Sequence, residues 1–248
     1  ATFAGGKGDV LLSYENEAII AKQKGETFEY VVPAETILIE NPVARCACML
    51  VLDVSSSMGG QPISELNEAV RRFVAEVQED EFASQAIELG IVTFGADVCV
   101  SLPITPVHLI TEVAPLEASG LTPMGLAVEA SLQALTARKE EYQRTGTSYY
   151  QPWLVLMSDG EPNDAWQATA ARCQQFSAER KLVVMPVGIG DNADLAILGA
   201  FSHRPAKPLA GLRFREFFQW LSASMSRVSQ STPGVAVSLP SSGGWDQI

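Results

Sequence analysis

Met49-Leu50-Val51-Leu52-Asp53-Val54-Ser55-Ser56-Ser57-Met58-Gly59-Gly60 is the stretch that decides how this chain is read. Its apolar start, Met49 to Leu52, has the character of a buried strand in a parallel sheet. The run then breaks into a carboxylate, hydroxyls on alternate residues and a glycine pair. Asp53, Ser55 and Ser57 are hard oxygen donors placed at the carboxyl end of a strand, where open α/β sheets bind ligands. The same letters also suit a polar turn in which Ser57 only caps the helix expected from about Pro62. Taken alone, the segment leaves both readings open.

Outward from this stretch, strands and helices alternate. A strand is expected over 46–53 and a helix over 62–78, with Pro62 near its start and apolar residues at Ile63, Leu66, Val70, Phe73, Val74 and Val77. Residues 87–94 and 97–102 read as a hairpin joined at Gly95-Ala96, which puts one antiparallel strand on an edge. A long helix over 123–144 carries Leu126, Ala130, Gln133, Leu135 and Ala137 on its apolar side. A buried strand at 153–157 leads into Ser158-Asp159-Gly160-Glu161-Pro162, followed by a helix over 164–180, a strand over 182–189 and a short helix over 193–201. The last helix, 213–228, holds Phe214, Phe217, Phe218, Trp220 and Leu221, an aromatic run expected to pack on the sheet. Trp166 and Trp245 read as surface residues. The pattern predicts an α/β fold, a doubly wound and mostly parallel sheet flanked by helices, with one antiparallel edge strand.

The chain has 248 residues, 47% of them hydrophobic and 19% charged, enough to bury a full core. With 17 basic against 29 acidic residues, its net charge is −12, which disfavours nucleic acid and anionic membranes as partners. No apolar run approaches the ~20 residues that span a bilayer. Cys46 and Cys48 alternate on a strand and face one way, while His108 and His203 are not spaced to complete a zinc site with them. Reduced, structural cysteines favour a cytoplasmic location. The organisation expected is an appendage at 1–44, a main domain at 45–232 and a loosely ordered tail at 233–248 rich in Gly, Ser and Pro.

Two more loops carry oxygen donors. In Ser119-Gly120-Leu121-Thr122-Pro123-Met124-Gly125, Thr122 stands at a helix N-cap with Pro123 at the first helical position. Asp159 follows a buried strand directly, where a turn-forming aspartate is the ordinary alternative. In a doubly wound sheet these loops converge over one edge, so Asp53, Ser55, Ser57, Thr122 and Asp159 together supply two carboxylates and three hydroxyls. Such a set suits Mg²⁺, with Mn²⁺ or Ca²⁺ as alternatives, and leaves a coordination position open.

In order and spacing, Asp53-Val54-Ser55-Ser56-Ser57, Thr122 and Asp159 resemble the metal-ion-dependent adhesion site of von Willebrand factor A domains. The resemblance implies that the serines and the threonine bind the metal directly or nearly so. It also implies that the aspartates act largely through water and that an acidic group from a partner protein completes the shell. Ser56 departs from the family, which usually has glycine there, and is expected to be tolerated at some local backbone cost. Thr122-Pro123-Met124-Gly125, Tyr149-Tyr150-Gln151-Pro152-Trp153, Ser158 to Pro162 and Phe214-Arg215-Glu216-Phe217-Phe218-Gln219-Trp220-Leu221-Ser222 further resemble TerY-type proteins of the bacterial tellurium-resistance group. That likeness implies a stress-response setting beside a protein kinase and a PP2C-type phosphatase. Separately, residues 8–44 resemble a fragment of periplasmic sulfate-binding proteins. The fragment is too short to form their two-lobed cleft, so a scaffold or docking role is all it implies.

The expectation is therefore a non-enzymatic protein-binding module. The alternative is a metal-dependent phosphohydrolase with Asp53 as nucleophile, although the carboxylate usual two residues further on is Ser55 here. A serine hydrolase lacks a histidine near its serines. Glu161 and Asp164 read as solvated loop acids, Asp164 also as an N-cap for the helix that follows it.

Overall fold

The computed structural model describes residues 43–191, 193–209 and 211–242. Residues 1–42 of the expected appendage, and Trp245, lie outside them. Six strands form one sheet: β1 (Cys46–Asp53), β2 (Ile87–Phe94), β3 (Val98–Pro106), β4 (Trp153–Ser158), β5 (Val183–Ile189) and β6 (Lys207–Leu209), in the order β3-β2-β1-β4-β5-β6. All neighbours are parallel except β2 and β3. The helices are α1 (Gln61–Glu79), α2 (Glu81–Ala86), α3 (Met124–Thr145), α4 (Gln167–Ala178), α5 (Leu195–Gly199) and α6 (Phe214–Ser229).

Strand β1 is buried along its whole length because it lies between two layers of helix. Cys46, Cys48, Leu50 and Leu52 join one apolar cluster with α1 and α6, and Ala47, Met49 and Val51 join the other with α3 and α4. On the first face, the Phe73 ring of α1 meets Phe218 of α6 with centroids 5.4 Å apart. Phe214, Phe217, Phe218, Leu221, Met225 and Val228 recur at helical spacing along α6 and are all buried. The aromatic run is thus core. Residues 233–242 carry no helix or strand, yet Trp220 Nε1 donates to Pro240 O at 2.9 Å and Val237 and Leu239 lie against the same cluster.

Several local expectations need correction. The buried stripe of α3 is Met124, Ala127, Val128, Leu132 and Leu135, so of the expected apolar side only Leu135 is buried and Leu126 points into solvent. The helix starts at Met124 rather than Pro123, and its phase follows the residues that reach the sheet. Strand β3 runs four residues past Leu102, through Pro103 to Pro106, with register irregularities opposite Leu89 and Ile91. An edge strand tolerates proline because its outer N–H groups need no partner. Helix α4 begins at Gln167, three residues later than expected, because the preceding residues serve other contacts. Trp166 is half-buried rather than simply on the surface: its ring stacks on Phe201 with centroids 5.8 Å apart.

This topology fixes where a ligand binds. From β1 the chain goes to β2 on one side, and later returns to β4 on the other. The crevice outside the carboxyl ends of such a strand pair is the switch point of a doubly wound sheet. Asp53 ends β1, and Asp159 follows the last residue of β4.

Candidate metal site at the sheet's switch point

The five predicted donors divide into one hydrogen-bonded chain and one isolated hydroxyl. Asp53 is fully buried. Its Oδ1 accepts the Ser55 N–H at 2.8 Å, and its other oxygen accepts the Ser158 hydroxyl. Ser57 Oγ donates to Asp159 Oδ1 at 2.8 Å, across 102 positions of sequence. Ser55 Oγ and Ser57 Oγ are 2.9 Å apart.

Thr122 is treated differently. Its backbone N–H donates to Asn163 Oδ1 at 3.0 Å, and its carbonyl accepts from Asn163 N and Met124 N. Its hydroxyl makes no hydrogen bond to the described residues, although the residue is 92% buried (8% exposed). The expected cap is absent: Pro123 occupies the N-cap position and no side chain on the helix itself caps α3. That role falls to Asp164, whose two carboxylate oxygens accept the Gly125 and Leu126 N–H groups at 3.1 and 2.8 Å. Asp164 is therefore neither a free loop acid nor the cap of α4, and Glu161 is exposed. The Thr122 Oγ1 faces Gly160, where an added methyl would sit 3.6 Å away. An unpartnered hydroxyl in a buried residue costs stability unless a ligand takes it up.

Close backbone packing holds the loops in place. Val54 N donates to Phe94 O at 2.8 Å, Ser119 N to Val54 O at 2.7 Å and Ser56 N to Gly120 O at 3.1 Å. Gly120 has φ +75°, and a side chain there would come within 2.2 Å of the Ala96 backbone. Ser56 lies in a 3₁₀ turn, Ser56–Met58, and is exposed. Arg180 is the one non-glycine with positive φ among the described residues. The anticipated backbone cost at Ser56 is absent, because its conformation is one that any residue adopts.

Burial pushes the Asp53 carboxyl above its ordinary pKa, and the charge of Asp159 adds to the rise, while the hydrogen bonds from Ser158 and Ser55 oppose it. A cation beside the buried Asp53 would favour its ionised form. Among the described residues, no three His, Cys, Asp or Glu side chains cluster to hold a metal. The donors here are mostly hydroxyls, a set poor in charge that fits a hard divalent ion and no soft one. The residues present therefore fit Mg²⁺. Sequence reasoning quoted Ser158 without giving it a role, and overlooked Asn163. Its bond to Thr122 spans 41 positions and has no local signature.

The model of the von Willebrand factor type A domain matches residues 48–219, and the chain belongs to this family. Domains of the family generally mediate metal-dependent protein interactions. Among solved structures, a pilus adhesin (SpaC) from Lactobacillus rhamnosus GG superposes with TM-score 0.62 at 13% identity, over 76% of this chain and 31% of that one. A von Willebrand factor type A protein from Catenulispora acidiphila gives 0.53 at 15% identity, over 74% and 43%. Proximal thread matrix protein 1 from the mussel byssus gives 0.51 at 16%, over 75% and 49%. At these identities the likeness is one of fold. A sulfate-binding protein of Synechococcus elongatus is 55% identical over 42 residues, 17% of this chain, and one of Synechocystis is 52% identical over 40. The chain spans only 12% and 11% of the length of these two relatives. No described helix is long and apolar enough to cross a membrane.

Proposed function

We propose that the chain is a non-enzymatic binding module whose site holds Mg²⁺ and through it the carboxylate of a partner protein. Ser55, Ser57 and Thr122 would offer hydroxyl oxygens to the ion, and Asp53 and Asp159 would balance its charge. The ion supplies a Lewis-acidic position for an incoming oxygen anion. The observation that carries this reading is the hydroxyl of the buried residue Thr122, which has no hydrogen-bond partner among the described residues and lies on the loop packed beside Ser56. The phosphohydrolase alternative is disfavoured by Asp53, which is fully buried with both oxygens engaged by Ser55 and Ser158 and is not free to attack a phosphorus.

The setting we propose is the bacterial tellurium-resistance or stress-response system, in the cytoplasm, with a protein kinase or PP2C-type phosphatase as partner. The likeness of Thr122–Gly125 and Phe214–Ser222 to TerY-type sequences supports it. The test is capture of partners from native lysate by the full chain in Mg²⁺, in chelator, and with Asp159→Ala. Retention in Mg²⁺ alone, lost in the variant, is the expected result. Equal capture in chelator would contradict the metal-bridged reading.

A further inference from the structure

Two large apolar side chains that flank Thr122 in the sequence stand in solvent: Leu121 is 65% exposed and Leu126 is 61% exposed. Both sit on backbone that is held in place. Leu121 follows Gly120, whose carbonyl accepts from Ser56 N and whose α-carbon is pressed against Ala96. The N–H of Leu126 donates to Asp164 Oδ2 at 2.8 Å. Apolar groups on fixed backbone lose little further freedom when a partner covers them, so their burial converts into affinity efficiently. The charge around them points the other way. Asp97, beside Ala96, and Glu161, two residues past Asp159, are exposed and have no ion-pair partner among the described residues. On a chain of net charge −12, a run of acids would meet repulsion here.

We infer that the site recognises a segment of a partner protein carrying a single carboxylate flanked by large apolar side chains, the flanks covering Leu121 and Leu126. The inference rests on the proposed metal-bridged carboxylate and adds the specificity of that contact.

The test uses short synthetic peptides with one central aspartate, flanked on both sides by leucine, by serine or by further aspartates. Each is titrated into the full chain in saturating Mg²⁺. The leucine-flanked peptide is expected to bind at least about tenfold more tightly than the serine-flanked one. At low salt, the aspartate-flanked peptide is expected to bind no better than the serine-flanked one. In the double variant Leu121→Ser/Leu126→Ser the leucine preference disappears while calorimetric Mg²⁺ binding persists. Equal, Mg²⁺-dependent binding of the leucine and serine peptides would overturn the apolar rim and leave the metal reading standing. Leucine-peptide binding that survives chelator, or no binding by any of the peptides, would overturn both.

Discussion

At the scale of single residues, the site is held by backbone contacts that tolerate little change. Gly120→Ala places a methyl where φ is +75° and the Ala96 backbone lies 2.2 Å away, and is expected to cost about 2 kcal/mol or more in denaturant unfolding. Ser56 is the contrasting case. The residue is exposed and in ordinary backbone, so Ser56→Gly is expected to leave Mg²⁺ affinity unchanged. It should lower stability by about 0.5–1 kcal/mol through the freer unfolded chain. A gain in stability would show that the serine is strained after all. The donors were legible in the sequence because each follows a strand or precedes a helix. What held them was not legible, since Asn163 on Thr122 and Asp164 on the α3 terminus act across 41 and 39 positions.

At the scale of elements, one polar cluster fastens a helix to the sheet and one carboxylate caps another helix. Glu88 on β2 is 1% exposed and takes Arg138 Nε and Nη2 at 2.6 and 2.7 Å, together with the Tyr142 hydroxyl. This cluster anchors the far end of α3. Arg138→Ala would leave a buried carboxylate short of its main charge partner, an expected loss of about 3 kcal/mol, reduced where water reaches the exposed side of Arg138. A loss under about 1 kcal/mol would mean that Tyr142 and solvent suffice. Asp80 caps α2 by accepting from Ala83 N at 2.8 Å and Phe82 N at 3.0 Å, and these bonds hold its pKa below the ordinary value. A depressed carboxylate stabilises the fold above its unfolded pKa, near 3.9, and that contribution is lost as pH falls through the lower folded value. Asp80→Ala should therefore cost about 1 kcal/mol at neutral pH and progressively less in acid. The strands, β2 above all, were readable from their apolar runs. The face of α3 was not, because a helix whose small and apolar residues are spread around its circumference takes its phase from the packing partner, and Leu126 is solvent-facing for that reason.

At the scale of the molecule, the sheet order brings β1 and β4 together, so that loops more than a hundred positions apart share one crevice. The three buried thiols contribute to the cores. Burial pushes Cys48 and Cys173 up to about 12 and raises Cys46 as well, whereas Cys99 on edge strand β3 is exposed. A thiol reagent at neutral pH is expected to modify Cys99 in the native protein and all four cysteines only in denaturant. Fast modification of Cys46 or Cys48 would show that β1 is less enclosed than described. The alternation of strands and helices made the doubly wound plan readable, but alternation alone cannot give strand order.

The central claim is that the loops at the switch point form one cation site, and Thr122→Val tests it most directly. The exchange keeps the shape of the side chain and removes a hydroxyl that bonds to nothing in the described protein, so a purely structural role predicts no loss of stability. Calorimetric titration with Mg²⁺ is expected to show one saturable site in the unchanged chain and at least about tenfold weaker binding in the variant, with the same circular dichroism and a thermal transition no lower in chelator. Equal Mg²⁺ affinity in the two proteins would contradict the account.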